Sequence, residues 1–404
     1  MAVDQADVLV VGAGPAGSAT ALRLAQAGFN VTLLDRAAFP REKACSEYMS
    51  PETVRHLAAL GVLDELVAND NEMLAGTSVH GPRGSRLLGE FTRAGGTPFR
   101  ATGLALPRRV LDATLVRAAQ RAGAALQENT TVVALLRERG AVCGVVARDA
   151  AGATREYRAR VVVGADGLRS VVARRAGLHR QGRLRRTAFV AHVAHVADLS
   201  ATTELHVGLD GYAGLNSLGG GLANVALVVP AARATAARGD AAAFFKAELE
   251  RFPGVRGRVD LAHTVREVMV TGPFDTQSRR TTAAGLLLVG DAADFFDPFT
   301  GEGIGAALRG AELAAHTLAT ALSTPGAVSG RALAPYRAAR RRTFAGKWLV
   351  ERLIGYAMLT PALFDRAIAR IERRGMSHTL IGVTGSFVSP WRVLNPLFLA
   401  RTVL

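Results

Sequence analysis

The sequence predicts an α/β protein: a Rossmann-like dinucleotide-binding domain with an interleaved antiparallel β-sheet and a helical C-terminal region. Three observations carry that reading. The apolar run Asp7–Val11 leads directly into Gly12, Gly14 and Gly17 at GxGxxG spacing. Two more apolar runs end in acidic turns, Arg160–Asp166 and Gly285–Asp291. Between about residues 180 and 277 the pattern changes to alternating apolar and polar positions, the signature of half-buried strands.

Each element follows from local chemistry. Gly12 permits the tight turn, Gly14 lets backbone approach a pyrophosphate, and Gly17 lets a helix over Ser18–Ala27, with Ala16 at its entry, pack on the strand. That helix start offers free N–H groups and partial positive charge to phosphate. Val31–Leu34 reads as the next strand and ends in Asp35, placed to accept from a ribose hydroxyl, with Arg36 beside it. Ser50 is an N-cap and Pro51 a first helical residue, for a helix that stops at Gly61. A helix over Arg109–Arg121 carries Leu111, Leu115, Ala118 and Ala119 at helical spacing. Thr131–Arg137 and Ala141–Arg148 read as a hairpin around Glu138-Arg139-Gly140, and Ala188–Ala197, Glu204–Leu209 and Leu222–Val229 read as strands. The organisation is discontinuous: dinucleotide-binding segments at 1–75, 106–180 and 278–329, sheet segments at 76–105 and 181–277, and helices at 330–404.

The segments Arg160–Ser170, Gly285–Ala293 and Asp297–Gly305 resemble, in order, motifs of the flavoprotein group that holds para-hydroxybenzoate hydroxylase-like monooxygenases and geranylgeranyl reductases. The resemblance implies FAD as cofactor and NADPH or NADH as transient reductant. It implies that Asp166 belongs to the cofactor site, that Asp291 bonds the ribityl chain, and that Pro298, Gly301, Gly303 and Ile304 lie beside the flavin. A helix start there would stabilise negative charge on the reduced ring. Phe39–Pro51 resembles the reductase loop that passes the ring, although Cys45-Ser46 stands where that group carries Cys-Gly. Arg108 matches an arginine ahead of a Leu-Asp helix, which implies contact with the cofactor. The sheet segment offers Tyr212 and Asn216, and the loop offers Phe299, as substrate contacts.

With 404 residues, 49% of them hydrophobic, the chain can bury one large core or two joined ones. Two cysteines, Cys45 and Cys143, imply no disulfide framework and fit a cytoplasmic setting. Met1–Asp4 lacks the marks of a signal peptide, and no uninterrupted apolar stretch is long enough to span a bilayer. The net charge of +15 comes from scattered arginines without aromatic interleaving, which points away from nucleic acid. The clusters Arg183/Arg185/Arg186 and Arg340/Arg341/Arg342 read as solvated faces, or else as contacts to anionic lipid. No metal site stands out: His192 and His195 fall on opposite faces of one strand, and His206, His263 and His316 read as structural. The segment Leu380–Leu399 is apolar but broken by proline and glycine, and is expected to fold back over the substrate domain.

Among reaction classes, the sequence reading puts first a monooxygenase. It would use O2 through a flavin C4a-hydroperoxide to hydroxylate or epoxidise a lipophilic aromatic, polyketide or isoprenoid intermediate. A geranylgeranyl reductase-like C=C reductase is second. The loop Asp297–Ile304 is closer to that branch, but Tyr212–Ser217 lacks its Tyr-x-Trp-x-Phe-Pro-Lys pattern. A flavin halogenase ranks lower because Trp348 and Trp391 do not sit in a Trp-x-Trp-x-Ile-Pro motif. A flavin-binding partner without substrate of its own ranks with it.

Overall fold

The computed structural model describes residues 6–403; the Met1–Asp4 start lies outside them. Strands Leu286–Leu288, Thr154–Gly164, Ala6–Val11, Val31–Leu34 and Ala125–Gln127 run parallel in that spatial order. The hairpin Thr131–Glu138/Ala141–Arg148 extends the sheet antiparallel from the long strand, and Thr282–Ala283 closes its other edge. Arg139 and Gly140, both at positive φ, form the hairpin turn. The parallel strands are buried on both faces, as continuous apolar runs require.

Helix α1 (Pro15–Gln26) begins three residues before the sequence expectation, because Pro15 suits the first helical position and Gly14 takes the extended N-cap conformation. Helix α2 (Pro51–Ala59) is capped as expected, with Ser50 Oγ accepting from Thr53 N–H. Helix α3 spans Arg108–Arg121, α4 Ala241–Leu249, α5 Gly303–Leu322, α6 Ala334–Ala357, α7 Pro361–Arg373 and α8 Ser377–Thr384. α1 and α5 pack on one face of the parallel sheet, where Leu22, Leu24, Leu33, Leu308, Ala311 and Leu318 share one core. Each buried leucine there contributes roughly 1.5–3 kcal/mol of transfer free energy.

The second sheet has seven strands in the order Thr264–Thr271, Arg186–Ala194, Leu222–Pro230, Tyr212–Gly219, Thr202–Val207, Gly76–His80 and Arg86–Glu90. It departs from a purely antiparallel reading at one place, since Thr202–Val207 and Gly76–His80 pair parallel. One face, with Phe189, Val225 and Leu227, packs under α4 around Phe245. The other, with Ala188, Val190, Tyr212 and Val228, turns toward Tyr48 and Phe299. The Arg186–Ala194 strand stops before His195, which sits at φ +58 against His263, so His192 and His195 do not share a strand.

The C-terminal helices fold back on this second sheet. Ile381 of α8 packs so closely on Gly89 that a Cβ there would lie 2.1 Å from Ile381 Cγ1. Glu372 Oε2 accepts from Leu88 N–H at 3.0 Å and His378 Nδ1 from Glu90 N–H at 3.0 Å. The outermost strand thus has edge donors satisfied by side chains, which blocks pairing with another chain.

Candidate functional site

At the glycine turn, Gly12 has φ +100, and a Cβ there would lie 2.5 Å from the Ala165 carbonyl oxygen. A Cβ on Gly17 would lie 1.8 Å from the Gly12 oxygen, so α1 meets the turn at backbone distance. Ala16 meets Gly290 of the Gly290–Asp291 turn in the same way. A Cβ on Gly14 would instead meet only guanidinium nitrogens, Arg41 Nη2 at 3.6 Å and Arg108 Nη2 at 3.9 Å. Asp35 is turned inward: its Oδ2 accepts from Ala13 N–H at 2.7 Å and its Oδ1 from Ala37 N–H at 2.9 Å. It therefore pins the turn itself, and Arg36 beside it is exposed.

Asp112 gathers the cations. Arg108 donates to both its oxygens at 2.9 and 2.8 Å, and Arg41 reaches it at 3.1 Å. Lys43 is held below the usual ammonium range by burial and by Arg108 and Arg41. Asp291 faces this cluster, pushed up by burial and pulled back by Lys43 and Arg108, and it makes no hydrogen bond to protein among the described residues. Three cations against two carboxylates, around a turn with room at Gly14, suit a diphosphate. An unspent carboxylate at Asp291 suits a ribityl hydroxyl. The residues present therefore fit FAD. Asp166 is different: Ser170 Oγ donates to its Oδ1, and the Val171 and Val172 N–H groups donate to its Oδ2 at 2.6 and 3.2 Å. Its carboxylate caps the following helix, so its part in the site is to hold the turn.

At the other end two loops meet. Cys45 Sγ accepts from Glu47 N–H at 3.3 Å. A Cβ on Gly301, at φ +69, would lie 2.7 Å from Tyr48 Cδ1 and 3.7 Å from Ser46 Oγ, so the absence of a side chain lets the loops close. Asp297 anchors the second loop: it accepts from Phe299 N–H at 3.1 Å, Tyr212 hydroxyl at 2.8 Å and buried Arg186 at 3.0 Å. Pro298 follows it as the first residue of a 3-10 turn. α5 then begins at Gly303, its N-cap Glu302 makes no capping bond, and Ile304 buries into the core under α1. The first N–H groups of this helix are thus left for a ligand. Tyr212 and Phe299 meet edge to face at 5.2 Å, and Phe299 continues to Phe364 at 6.4 Å. Asn216, also buried, lies in one cross-strand row with Asn224, His192 and Arg266 on the same face of the sheet.

Several site residues had no sequence signal. Glu47 is fully buried at φ +59. Its Oε1 accepts from Arg108 N–H at 2.8 Å and from Arg266 at 3.3 Å, and its Oε2 meets His192 Nε2. One carboxylate so joins the start of α3 to the second sheet. Two arginines from the basic clusters are also not solvated. Arg186 pairs with Asp297, and Arg340 pairs with Asp294 under the rings of Phe344 and Trp348. Each supplies the counter-charge for a carboxylate beside the second loop, buried for Asp297 and half-buried for Asp294.

His80, Glu204 and His206 offer ligand atoms within 4.8 Å of one another. Glu204 is already held by Arg258 at 2.7 and 3.1 Å and by His206 at 3.0 Å, and the His80 and His206 rings stack at 4.4 Å. A guanidinium on that carboxylate opposes a cation, so the cluster is an ion-paired stack. His263 and His316, in contrast, are exposed.

Residues 5–349 match the sequence model of a family described as FAD binding domain. The chain is 31% identical over 351 residues to a digeranylgeranylglycerophospholipid reductase of Methanoculleus marisnigri, covering 84% of this chain and 83% of that one. Among solved structures, the myxobacterial chondrochloren halogenase, described as an FAD-dependent halogenase, superposes with a TM-score of 0.80 at 25% identity, over 97% of this chain and 92% of that one. A geranylgeranyl bacteriochlorophyll reductase-like protein from Thermoplasma acidophilum gives 0.77 at 23%, over 96% and 98%.

Proposed function

This chain belongs to the FAD-binding-domain family and is an FAD-dependent oxidoreductase, and from that premise we propose that it reduces carbon–carbon double bonds of a lipophilic, isoprenoid-like substrate. The observation that carries the reading is the apolar wall formed where the second sheet meets the Asp297–Ile304 loop. Tyr212, Phe299 and Phe364 form an aromatic run there, continued by Ala188, Val190, Leu218 and Val228. Such a wall holds a hydrocarbon chain by area and shape rather than by charge. The reductase relatives, which match most of the chain, support it and move the reductase ahead of the monooxygenase expected from sequence.

FAD, when bound, supplies the hydride chemistry, with NADPH or NADH as reductant. The protein's own groups divide the remaining work. Arg41, Lys43 and Arg108 would neutralise its phosphates, Asp291 would accept from its ribityl hydroxyls, and the uncapped start of α5 would stabilise negative charge on the reduced ring. Tyr212 and Asp297 hold the loop that carries this helix start against the substrate sheet. The wall excludes water from the reacting double bond.

The test is anaerobic. Holoprotein reduced by dithionite is mixed with geranylgeraniol, the flavin absorbance is followed, and the product is weighed by mass spectrometry. Reoxidation of flavin with a gain of two hydrogens per saturated bond supports the reading. The monooxygenase keeps support from the likeness to the halogenase fold. It becomes the better reading if the same substrate is untouched without oxygen and gains an oxygen atom with it.

A further inference from the structure

We infer that the outer face of α6 and α7 is a docking surface for an anionic lipid bilayer, which sets the loop carrying the α5 start next to the membrane. On α6, Leu349, Leu353 and Tyr356 recur at i, i+4 and i+7 and are all exposed, on the side opposite the buried Arg340 and Phe344. The stripe continues past the helix end through Leu359, 57% exposed, and Leu363 at the start of α7. Pro390 packs on Gly346 at one end of the stripe, and the next residue, Trp391, is 64% exposed. Seven of the twelve large apolar side chains that stand exposed among the described residues fall between positions 349 and 397. Scattered exposed leucines need no explanation, but this concentration on one layer does.

Charge selects the occupant. From Ala334 to the end, the sequence holds twelve Lys and Arg against three Asp and Glu. All three acids face protein partners: Glu351 meets Thr300 and Lys347, Asp365 meets Arg83 N–H and Ser85, and Glu372 meets Leu88 N–H and Ser377. Arg341, Arg342, Arg366, Arg373, Arg374, Arg392 and Arg401 are exposed. Arg342 lies seven residues before Leu349, on the line of the stripe. A second copy of this chain would bring the same positive charge against itself, so self-association through this face is disfavoured. Anionic headgroups pair with the arginines while the leucines and Trp391 enter the acyl boundary, as for an amphipathic surface helix. Among the described residues no helix is long and apolar enough to cross a membrane, so the contact is peripheral.

The position of this face has a consequence for the site. The flank of α6 beside this stripe rests on the second loop: Gly355 touches Phe296, Arg352 and Tyr356 lie against the Phe296 ring, and Glu351 reaches Thr300. A bilayer on the outer face therefore lies within one helix diameter, about 10 Å, of the loop that begins α5.

Co-sedimentation of the purified holoprotein with vesicles tests the inference without any substrate. Binding is expected to vesicles of phosphatidylglycerol mixed with phosphatidylcholine and not to phosphatidylcholine alone. It should weaken but persist as salt shortens the Debye length from about 10 to 3 Å. The double variant Leu353→Asp/Leu359→Asp should bind about tenfold or more weakly with unchanged thermal stability, whereas Leu209→Asp, an exposed leucine on the second domain, should bind like the parent. The inference is overturned if the parent ignores anionic vesicles, if the double variant binds them equally well, or if the double variant converts a dimer into a monomer. Arg366→Glu/Arg373→Glu gives a second check, since loss of anionic selectivity is expected with the leucines intact.

Discussion

The Tyr212 hydroxyl donates to Asp297 Oδ1 at 2.8 Å, tying the second sheet to the loop that starts α5 across 85 residues of sequence. Asp297 Oδ2 meets Arg186 at 3.0 Å, and both partners are buried. The two contacts differ in kind. Tyr212→Phe removes one donor from a carboxylate that keeps two others, a loss of about 1 kcal/mol. Asp297→Asn leaves Arg186 a buried charge without its counter-ion, a loss of about 3–5 kcal/mol. Urea unfolding of the two variants checks this order, and equal losses would show that the ion pair does not anchor the loop.

The glycines of the turn separate binding from folding. Gly17→Ala places a methyl 1.8 Å from the Gly12 oxygen, where only backbone movement relieves it. Gly14→Val adds its side chain where only the Arg41 and Arg108 guanidinium groups lie, in the space suited to phosphate. The expected outcome is a poorly soluble Gly17→Ala protein and a folded, colourless Gly14→Val protein whose circular dichroism matches the apo parent. Asp35→Ala frees the Ala13 N–H and loosens the turn, so partial loss of bound FAD is expected there. Full flavin occupancy in Gly14→Val would remove the phosphate assignment.

What could be read in advance follows from the range of the forces involved. The glycine turn, the Ser50 cap and the hairpin at Arg139-Gly140 depend on residues close in sequence, and local chemistry specified them. The pairing of Arg186 with Asp297, or of Glu47 with His192, joins residues more than a hundred positions apart and left no periodic trace. Arg186 looked like one arginine in a basic run because burial cannot be seen in composition. Asp35 and Asp166 were legible as turn acids. Whether each carboxylate faces a ligand or the backbone depends on turn geometry, and in both it is taken by backbone donors.

Glu47 offers a test of coupling between the two sheets. Its positive φ costs an ordinary residue roughly 1–2 kcal/mol, so Glu47→Gly relieves the backbone while deleting the carboxylate shared by His192, Arg266 and Arg108 N–H. Glu47→Gln keeps the backbone cost and loses only the charge. If the carboxylate is a positioning group for the α3 start, both variants should bind FAD more weakly, by about tenfold or more. Fluorescence titration of apo protein with FAD measures this. Tighter binding by Glu47→Gly than by the parent would mean that backbone relief, not the carboxylate, governs the site.

Glu302 should make the apo protein less stable as the solution becomes less acidic. Burial, opposed by Lys347, holds its carboxyl up from 4.5 to about 7. Between those values the folded protein keeps a proton that the unfolded chain has released. The stability this contributes is full below pH 4.5 and is lost as pH rises through about 7, on the order of 3 kcal/mol. His56 acts in the other direction. Burial first, then Arg55, lowers its imidazole from 6.5 to about 4, so its contribution is present above 6.5 and is lost as pH falls through 4. In the window between, the two slopes oppose each other and flatten the parent's profile. Glu302→Gln removes only the first. The difference in unfolding free energy, parent minus Gln variant, should therefore shrink steadily from pH 4.5 to 7, measured on apo protein by urea titration. A difference that stays constant across that window would show that Glu302 ionises at its ordinary value in the folded chain.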